Sequence, residues 1–441
     1  MPDRMKNGRP LMDERRTKQK RIRVAHLWWD YVPESFVEPH SYFRFDPQFS
    51  SRNLVCQLWE NGKKADAATS FLYRAAAQKL VNPGVVFRIF MRLSRPWRWT
   101  RFRRFVRRSF QANSPALVHS HFGTTACEMT HLEKPQVVTF YGYDGSAALF
   151  QPATVKKYQE MFPRINKIIV LCEAVKQRLV ELGCERNKIA VWNMPAGVER
   201  YPYFKRKPGS IFRIVMAARF AEAKGHEYLL EAVHRLVQDG RSLHLTLLGY
   251  GNRAAQIKNR IDELGLSSHV TLTDNHLTGD FHAAYRSVLE QSDLFVLPSI
   301  RDSRGTDEAG PALTMVCAQA SGIPVVCTPF PGAEISLIPG ETGLFCAEKD
   351  PTSLADCIDF FLQNPEQRET MGRRASELAN REFSEWTQMD ELTRIYEEVL
   401  GIFSPLPSTG TSTLAQSPEG KEPQLQRPPT PLPPQRQPEF F

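Results

Sequence analysis

The amino-acid sequence predicts an α/β protein made of two doubly wound domains that face each other across a cleft. The chain has 441 residues, which is too long for one ordinary core and fits two domains of roughly 150 to 200 residues with additional tails. Its hydrophobic fraction of 41% and charged fraction of 24% are typical of a globular protein. Short β-branched runs alternate with amphipathic helical stretches, which indicates repeated βαβ units around parallel sheets.

The predicted strands form two series along the chain. The first comprises "RIRVAHLWW", "ALVHSHF", "PQVVTFYG" and "KIIVLCE". The second comprises "FRIVMAARF", "LHLTLLGYG", "HVTLTD", "DLFVLPS" and "IPVVCTP", with helices such as "HEYLLEAVHRLVQDG" between the strands. Because the polar stretch at residues 203–210 separates the series, we predict one domain over residues 21–205 and another over residues 206–402. The helical stretch "SEWTQMDELTRIYEEVL" follows the last strand, and the sequence does not indicate what it packs against.

Both ends of the chain are polar. Residues 1–20 are basic, and residues 403–441 are rich in Pro, Ser and Gln, so we predict disordered tails that cannot bury enough apolar surface to fold. The "PPTPLPP" stretch is either a solvated tail or a segment that docks on an aromatic groove. No run of about 18 uncharged apolar residues is present, and no apolar segment follows the basic amino terminus as in a secretory signal. We therefore expect a cytoplasmic protein.

The eight cysteines are scattered, mostly within apolar runs, and none belongs to a C-x-x-C pattern. This distribution is typical of buried reduced thiols rather than of disulfides or a zinc site. The sequence also lacks a D-x-D pattern. We therefore expect no metal and no cofactor.

The net charge of +9 is unevenly distributed. No Asp or Glu occurs from residue 67 to 127, and "FRIFMRLSRPWRWTRFRRFVRRSF" at residues 87–110 contains nine arginines among Trp and Phe. Such a stretch suits peripheral contact with an anionic membrane or binding to nucleic acid. It is alternatively a solvated helix face whose aromatic side chains enter the core. No nucleic-acid-binding motif accompanies the stretch, so the sequence disfavours a nucleic-acid partner.

Candidate ligand-binding residues stand at predicted strand ends, where doubly wound domains bind their ligands. Arg219 stands at the end of "FRIVMAARF", and Lys224 and Gly225 come just before a helix. Two cations beside a helix amino terminus suit a diphosphate, although two solvated surface cations are the simpler alternative. Gly249 and Gly251 follow the next strand, where a missing side chain lets the backbone approach a ligand or simply forms a turn.

Glu308 lies in the polar loop after "DLFVLPS", before a helix that Pro311 opens. With the two groups above, this loop makes residues 211–400 resemble the nucleotide-binding domain of family-four glycosyltransferases, which are retaining enzymes of the GT-B fold. The resemblance runs through "ARFAEAKGHEYLLEAV", "LLGYGN", "SDLFVLPS", "AQASGIPVV" and "PGAEISLIPGETGLFC". Within the family, the chain looks most like bacterial exopolysaccharide transferases of the colanic-acid and amylovoran type. The resemblance implies that Arg219 and Lys224 bind the donor diphosphate and that Glu308 holds hydroxyls of the donor sugar.

The sequence departs from the family at a second glutamate, which the family pattern separates from the first by seven intervening residues and which holds the ribose diol. Counting from Glu308 puts this position on Val316, whereas counting back from "AQASGIPVV" puts it on Cys317. An extra residue near Gly310 reconciles the two counts, so the resemblance assigns both Gly310 and Cys317 to the donor site. A neutral thiol is a poor acceptor, so we expect donor binding to weaken by about 1.5–3 kcal/mol without loss of the reaction.

The first half resembles the family through "ALVHSHFGTTACEM" and "QVVTFYGYDGS", which are similar to strands ending in "HAHFG" and "TFHGYD". The family histidine that contacts the donor sugar falls on Tyr141, whose phenol can still donate a hydrogen bond. His121 is either a second residue near the sugar or a histidine packed at a strand end. Asp144 either accepts a proton from an acceptor hydroxyl or is a turn aspartate. The glycine-rich loop that many relatives carry after the first strand is replaced by "WWDYVPESF".

The resemblance therefore implies a retaining glycosyltransferase that moves a sugar from a nucleoside-diphosphate donor to a saccharide or lipid-linked acceptor at the cytoplasmic face of the membrane. The leaving phosphate, stabilised by Arg219 and Lys224, would help deprotonate the attacking hydroxyl. These cations and a helix dipole would take the place of a divalent metal. Two alternatives remain: a catalytically silent relative that serves as a binding or scaffold subunit, and another enzyme of this fold, such as a nucleotide-sugar epimerase or a phosphorylase.

Overall fold

The computed structural model describes residues 115–205, 209–274 and 281–402, and in addition short strand segments at residues 5–6, 9–10, 23–29, 53–60, 63–64 and 71–74. The arginine-rich stretch at residues 87–110, the tail at residues 403–441 and most of residues 1–20 lie outside the described residues. The expectations of disorder and of membrane contact for these stretches stay predictions. Within the described part, no helix is both long enough and apolar enough to cross a bilayer.

The first sheet has eight strands among the described residues. A separate antiparallel pair, β1 (Met5–Lys6) and β2 (Arg9–Pro10), precedes it in the chain. The strands of the sheet are β3 (Arg23–Trp29), β4 (Asn53–Glu60), β5 (Lys63–Lys64), β6 (Phe71–Arg74), β7 (Leu117–His121), β8 (Gln136–Thr139), β9 (Lys167–Val170) and β10 (Ile189–Val191). Their order is β10-β9-β8-β7-β3-β4-β5, and β6 pairs with β4.

The central strands of this sheet are parallel, because β7 pairs in that sense with both β3 and β8, and β9 pairs likewise with β8 and β10. The four strands predicted for this half are confirmed. The sheet also has an edge that the sequence analysis did not predict, since β4 is antiparallel to β3, and β5 and β6 are antiparallel to β4. Polar residues at both ends of β4 and in its middle hide its strand pattern in the sequence.

Four helices accompany the first sheet in the described part: α1 (Gly123–Met129), α2 (Gly142–Gly145), α3 (Pro152–Met161) and α4 (Glu173–Glu181). Proline opens α3, where its missing N–H costs no hydrogen bond. Apolar side chains from α1, α3 and α4 pack with those of β8 and β9 in one buried cluster. The short helices α1 and α2 begin directly beyond the carboxyl ends of β7 and β8, which is where the sequence placed His121 and Tyr141.

The second sheet has six strands, all parallel, in the order β13-β12-β11-β14-β15-β16. These strands are β11 (Phe212–Ala217), β12 (Leu243–Gly249), β13 (Val270–Asp274), β14 (Leu294–Leu297), β15 (Val325–Cys327) and β16 (Gly343–Phe345). All five strands predicted for this half are confirmed. The order reverses between β11 and β14, so the carboxyl ends of these two strands flank the switch point at which such sheets bind ligands.

Eight helices follow in the second half of the described part, and each apolar face packs against a sheet or a neighbouring helix. They are α5 (His226–Gln238), α6 (Ala254–Glu263), α7 (Phe281–Glu290), α8 (Leu313–Ala320), α9 (Ala333–Ser336), α10 (Pro351–Gln363), α11 (Pro365–Glu382) and α12 (Glu385–Leu400). In α5, the buried positions Leu229, Leu230, Val233 and Leu236 repeat with the helical period and form one stripe. The predicted helix "HEYLLEAVHRLVQDG" is thereby confirmed.

The last helix, α12, returns to the first sheet. Its side chains Leu392, Ile395 and Tyr396 pack in a buried cluster with β7 and β8 residues, and the indole nitrogen of Trp192 donates a hydrogen bond to the carbonyl of Gln388 at 3.0 Å. The hydroxyl of Tyr396 lies 2.6 Å from Nδ1 of His119 in β7. Residues Met1–Phe403 form one compact unit, so the domain boundary predicted at residues 205 and 206 stays a prediction.

Candidate functional site

The turn after β11 carries Arg219 and Lys224. The amide of Ala221 donates to the carbonyl of Arg219 at 2.8 Å, and the amide of Lys224 donates to the carbonyl of Ala221 at 3.1 Å. Gly225 then adopts a left-handed conformation with φ of 68°, and a Cβ there would lie 2.0 Å from the carbonyl oxygen of Pro298. Only glycine fits this approach, and it allows α5 to start immediately after Lys224. The amino end of α5, whose first amides have no intrahelical partner, therefore follows Lys224 after a single residue.

Lys224 and Glu308 form an ion pair between the turn after β11 and the loop after β14. Oε1 of Glu308 accepts hydrogen bonds from Nζ of Lys224 and, at 2.8 Å, from Oγ of Ser299. The two charged side chains are only 15% and 18% exposed. Oε2 of Glu308 has no hydrogen-bond donor among the residues that the structure describes. This second carboxylate oxygen is available to accept a ligand hydroxyl.

Arg219 differs from Lys224 in its surroundings. Its side chain is exposed, and within residues 115–205, 209–274 and 281–402 its guanidinium makes no hydrogen bond and no ion pair. Arginine presents several N–H donors in a planar fork that matches phosphate oxygens. A surface arginine without a carboxylate partner, next to a helix amino terminus, has the chemistry of an anion site.

The predicted glycines of the β12 end are explained by packing within the chain. A Cβ on Gly249 would lie 1.9 Å from the carbonyl oxygen of Ala218. A Cβ on Gly251, whose φ is 157°, would lie 2.4 Å from the carbonyl oxygen of Phe220. Both glycines therefore let the loop after β12 lie against the turn after β11, and this approach suffices to require glycine. Their contact with a ligand stays a prediction.

The loop between β14 and α8 is held on the turn after β11 at its start. The amide of Ile300 donates to the carbonyl of Ala223 at 2.8 Å. Both carboxylate oxygens of Glu222 accept hydrogen bonds from Ser303, from its amide at 2.8 Å and its hydroxyl at 2.9 Å. Asp302 closes the loop on itself by accepting the amides of Arg304 and Thr306. The segment that carries Glu308 is therefore ordered by polar contacts from inside the second half.

The end of the same loop packs against the first half. Ala309 belongs to the buried cluster of the first sheet. Gly310, with φ of 146°, approaches Leu171 so closely that a Cβ would lie 2.6 Å from the Leu171 Cβ. Leu313, at the start of α8, packs on the cluster that contains Tyr141. The structure therefore brings Gly310 to the carboxyl end of β9, beside the edge of the sheet that carries Tyr141 and His121.

Sequence reasoning missed the ion pair that joins this loop to α4. Nη1 and Nη2 of Arg178 in α4 contact Oδ1 and Oδ2 of Asp307 at 3.0 and 2.6 Å. Burial would raise the pKa of Asp307, but hydrogen bonds and charges from Arg178 and Arg301 outweigh it, so this pKa lies below the usual value. The two partners are 129 residues apart in the chain. An arginine in the amphipathic helix "EAVKQRLVE" carries no local signal for such a pairing.

Cys317 lies in the core. Its side chain is 4% exposed, and Sγ donates to the carbonyl oxygen of Ala196, in the connection between the sheets, at 3.4 Å. Burial raises the pKa of this thiol to about 12, so it stays neutral. None of its described contacts joins it to Lys224 or Glu308. Helix α8 carries no carboxylate, and the ribose contact assigned to Cys317 stays a prediction without support from these contacts.

His121 and Tyr141 contact each other at the edge of the first sheet. Both are 4% exposed, and the Tyr141 hydroxyl lies 2.8 Å from Nδ1 of His121. The His121 ring stacks on His119 at 4.3 Å between centroids, and His119 in turn contacts Thr139 at 2.7 Å. Burial raises the pKa of Tyr141 well above its ordinary value. These side chains form a packed polar chain, and a sugar contact for either stays a prediction.

Asp144 has the surroundings of a turn aspartate. Its side chain is fully buried and accepts hydrogen bonds from the Gly123 amide at 3.0 Å, the Tyr141 amide at 3.3 Å and the Tyr158 hydroxyl at 2.7 Å. Burial raises its pKa to about 6, although these hydrogen bonds act in the opposite direction. Of the two interpretations of Asp144, the contacts favour the structural one, because its acceptor positions are already occupied by the amino ends of α1 and α2.

Known protein families match most of the chain. Residues 200–378 match the family described as "Glycosyl transferases group 1", and residues 50–200 match the family described as "Glycosyltransferase Family 4". The chain is 26% identical to the "Putative colanic acid biosynthesis glycosyltransferase WcaL" of Escherichia coli over 63% of its own length and 69% of that protein. It is 28% identical to the "Amylovoran biosynthesis glycosyltransferase AmsK" of Erwinia amylovora over 53% of its own length and 58% of that protein.

Solved structures show the same fold. A glycosyltransferase from Rickettsia africae has a TM-score of 0.58 at 19% identity, with 69% of this chain and 82% of the other covered. Anabaena HepE in complex with UDP has a TM-score of 0.56 at 16% identity, with 65% and 80% covered, and HepE has also been solved with UDP-glucose. The predicted fold class, two doubly wound α/β units in the GT-B arrangement, is confirmed.

Proposed function

We propose that the donor of this protein is a nucleoside-diphosphate sugar. The premise is that the chain belongs to glycosyltransferase family 4 and transfers a sugar from a nucleotide sugar. We further propose that the acceptor is a hydroxyl of a saccharide or of a lipid-linked saccharide in polysaccharide or glycoconjugate biosynthesis. The family is a retaining one. The similarity to proteins described as colanic acid and amylovoran biosynthesis glycosyltransferases supports this class of product.

One observation carries the proposal for the donor: Arg219, Lys224 and the amino end of α5 meet at one strand end, where Arg219 has no described carboxylate partner. A diphosphate placed there would gain two cationic partners and the amides of a helix start. The complexes of HepE with UDP and UDP-glucose make uracil the first base to test. Arg219 is exposed and has no described carboxylate partner, whereas Lys224 pairs with Glu308, so the guanidinium of Arg219 is available to a phosphate group.

The Lys224–Glu308 pair suggests how the site responds to the donor. Without a ligand, the charge of Lys224 is neutralised by Glu308. A bound diphosphate would share Lys224, and Glu308 would then hold sugar hydroxyls through Oε2. In the transfer step, the bond from the anomeric carbon to the phosphate oxygen breaks, and a bond to the acceptor oxygen forms on the same face. The acceptor proton passes to the leaving diphosphate, whose charge Arg219 and Lys224 stabilise.

The membrane contact is a separate part of the proposal and rests on sequence alone. Residues 87–110 lie outside the described residues, and the first half is where this fold takes its acceptor. If this stretch binds anionic lipid, the protein sediments with liposomes of phosphatidylglycerol at moderate salt and is released at high salt. A protein that stays in the supernatant at both salt concentrations contradicts this part without affecting the donor site.

The test of the donor site is calorimetric binding of UDP, GDP, ADP and CMP. Because Lys224 would supply a charged hydrogen bond worth about 1.5–3 kcal/mol, we expect Lys224→Ala to weaken binding of the cognate diphosphate by about 10- to 100-fold. Lys258 is an exposed cation on α6, and Lys258→Ala serves as the matched control. Binding of one nucleotide that only Lys224→Ala weakens supports the proposal.

The same experiment decides the alternative. A folded protein that binds none of the four nucleotides would be a catalytically silent relative that acts as a binding or scaffold subunit. The buried Cys317 and the absence of a carboxylate on α8 support this alternative. An epimerase or phosphorylase would bind nucleotide or sugar phosphate but would show a different product. Product analysis with and without a saccharide acceptor separates these enzymes from a transferase.

A further inference from the structure

Asp307 and Glu308 are consecutive residues, and the Asp307 carboxylate has a partner in the first half. It pairs with Arg178 of α4, and its Oδ2 also accepts a hydrogen bond at 3.0 Å from Nη2 of Arg301, which lies in the same loop as Asp307. The carboxylate of Glu308 pairs with Lys224 and Ser299, which belong to the second half. The peptide bond between Asp307 and Glu308 therefore connects a residue that contacts α4 to a residue of the proposed donor site.

The contacts on the first half are numerous and buried. The Asp307 side chain is 6% exposed, and its backbone amide donates to Oγ of Ser146 at 2.9 Å. Nη1 of Arg178 also donates to the carbonyl of Gly145 at 2.8 Å. Arg178 thereby joins Asp307 to the segment that leaves α2, so the loop cannot shift along the first half without breaking several charged hydrogen bonds.

The contacts of Glu308 are equally fixed, but within the second half. Ser299, which donates to Glu308, itself accepts a hydrogen bond from the hydroxyl of Thr328 through its carbonyl oxygen. Glu308 is thus oriented by groups at the carboxyl ends of β14 and β15. Its position relative to the first half is set by its neighbours in the loop, which are Asp307, paired with Arg178, and Ala309, buried in the cluster of the first sheet.

We propose that Arg178 is a positioning residue for sugar transfer, which acts through its bidentate pair with Asp307 to set the place of Glu308 relative to the first half. This inference rests on the proposed function, in which Glu308 holds the donor sugar and the acceptor comes from the first half. None of the described contacts joins Arg178 to Arg219 or Lys224, the two residues proposed to bind the diphosphate. The pair therefore affects the alignment of sugar and acceptor, and leaves nucleotide affinity unchanged.

The experiment uses the full chain and three variants. Arg178→Lys keeps the charge but loses the planar fork that makes the bidentate contact, and Asp307→Asn removes the charge of the partner. The double variant completes a cycle that measures whether the two residues act as a unit. The matched control is Asp359→Asn, which breaks another Arg–Asp pair, within the second half. In that pair, Nε of Arg241 lies 2.8 Å from Oδ1 of Asp359, and Nη2 of Arg241 donates to Oδ2 at 2.9 Å.

We expect kcat for transfer from UDP-glucose, or from the sugar of whichever diphosphate binds, to fall by about 10- to 100-fold in each single variant. The double variant should be no slower than the slower single variant, and the dissociation constant of the nucleotide diphosphate should stay within about twofold. Amide hydrogen exchange across residues 302–310 should accelerate in Asp307→Asn. In Asp359→Asn, kcat and the exchange of this loop should match the wild type.

Three results would overturn the inference. One is a folded Asp307→Asn or Arg178→Lys variant whose kcat equals that of the wild type. Another is an equal loss in Asp359→Asn, because the effect would then follow from lost stability alone. The third is a loss of nucleotide affinity with unchanged kcat, which would move Arg178 to donor binding. A wild type that neither binds a nucleotide nor transfers a sugar would instead refute the proposed function, and this inference with it.

Discussion

The polar residues at the two sheet edges are arranged in opposite ways. At the edge of the first sheet, His121, Tyr141 and Asp144 are buried and hydrogen-bonded to one another or to backbone amides. At the edge of the second sheet, Arg219 is exposed, and the Lys224–Glu308 pair is partly exposed. The first edge uses its polar groups to hold the fold, whereas the second keeps charge and acceptor capacity available for a ligand. The same type of strand end is therefore closed by internal hydrogen bonds in one half and carries exposed charge in the other.

The largest effect on the free energy of unfolding is expected where a substitution places a charge in the buried core. Cys317→Glu restores the residue that the family pattern has, but it places a carboxylate where the thiol is buried against the Ala196 carbonyl. An unpaired buried charge costs about 3–5 kcal/mol, so we expect the free energy of unfolding in urea to fall by that amount, whereas Cys317→Ser should cost much less. A stable Cys317→Glu protein that binds UDP more tightly would show that this position faces the donor.

Glu308→Gln tests the proposed donor site at the carboxyl ends of the second sheet's strands. The amide keeps the shape and an oxygen for Ser299, but it loses the negative charge that pairs with Lys224 and that holds sugar hydroxyls. We expect kcat to fall by about 100-fold, while the nucleotide diphosphate binds as well as before or more tightly, because Lys224 is released. Steady-state kinetics and calorimetry measure the two quantities. The exposed Glu341 provides the control Glu341→Gln, and an equal effect of both variants would contradict a role for Glu308.

The pH dependence of stability tests the buried polar groups at the carboxyl ends of the first sheet's strands, through Asp144. Its pKa in the folded protein is raised to about 6 by burial, above the value of about 3.9 for a free aspartate. Because the folded state holds its proton more tightly, Asp144 contributes stability below about pH 4, and that contribution falls by about 1–3 kcal/mol as the pH rises to about 6. Asp144→Asn should lack this decline. Urea unfolding of both proteins from pH 4 to pH 7 measures it, and parallel curves would contradict the raised pKa.

Tyr141→Phe should have the smallest effect. The substitution removes the buried hydrogen bond between the phenol and Nδ1 of His121 and should lower the free energy of unfolding by about 1 kcal/mol. Nucleotide affinity should not change, because the described contacts of Tyr141 are structural. Tyr143 is 44% exposed, so Tyr143→Phe is a matched control with a smaller expected loss. If Tyr141→Phe lowered kcat at unchanged stability, Tyr141 would contact the sugar after all.

The sequence predicted the parts of the fold that local patterns encode. Central strands are buried on both faces and read as apolar runs, so all nine predicted strands were found. The antiparallel strands β4 to β6 and the edge strands β10 and β16 were missed, because their pairing depends on a neighbour rather than on a strong apolar run. The packing of α12 on the first sheet was also left open. Its anchors, such as the contact between His119 and Tyr396, join residues 277 positions apart.

The site was predictable to the same extent. Arg219, Lys224 and Glu308 could be named as candidates because each stands at a strand end in an ordered motif, and their binding of a donor stays a proposal. The Lys224–Glu308 pair itself, and the pair between Arg178 and Asp307, required the tertiary structure. Gly225 shows the difference well: the sequence marks it as part of a motif, but only the approach of Pro298 explains why no other residue can stand there.

The adjacency of Asp307 and Glu308 also limits how this protein can be recombined with its relatives. A chimera that takes its first half from this chain and its second half from another transferase would keep Arg178 but receive a foreign loop in place of Asp307. The donor-binding groups would be complete, yet the loop would no longer be fastened to α4. Exchange of donor specificity by swapping whole halves should therefore succeed only when the partners of this one ion pair come from the same parent.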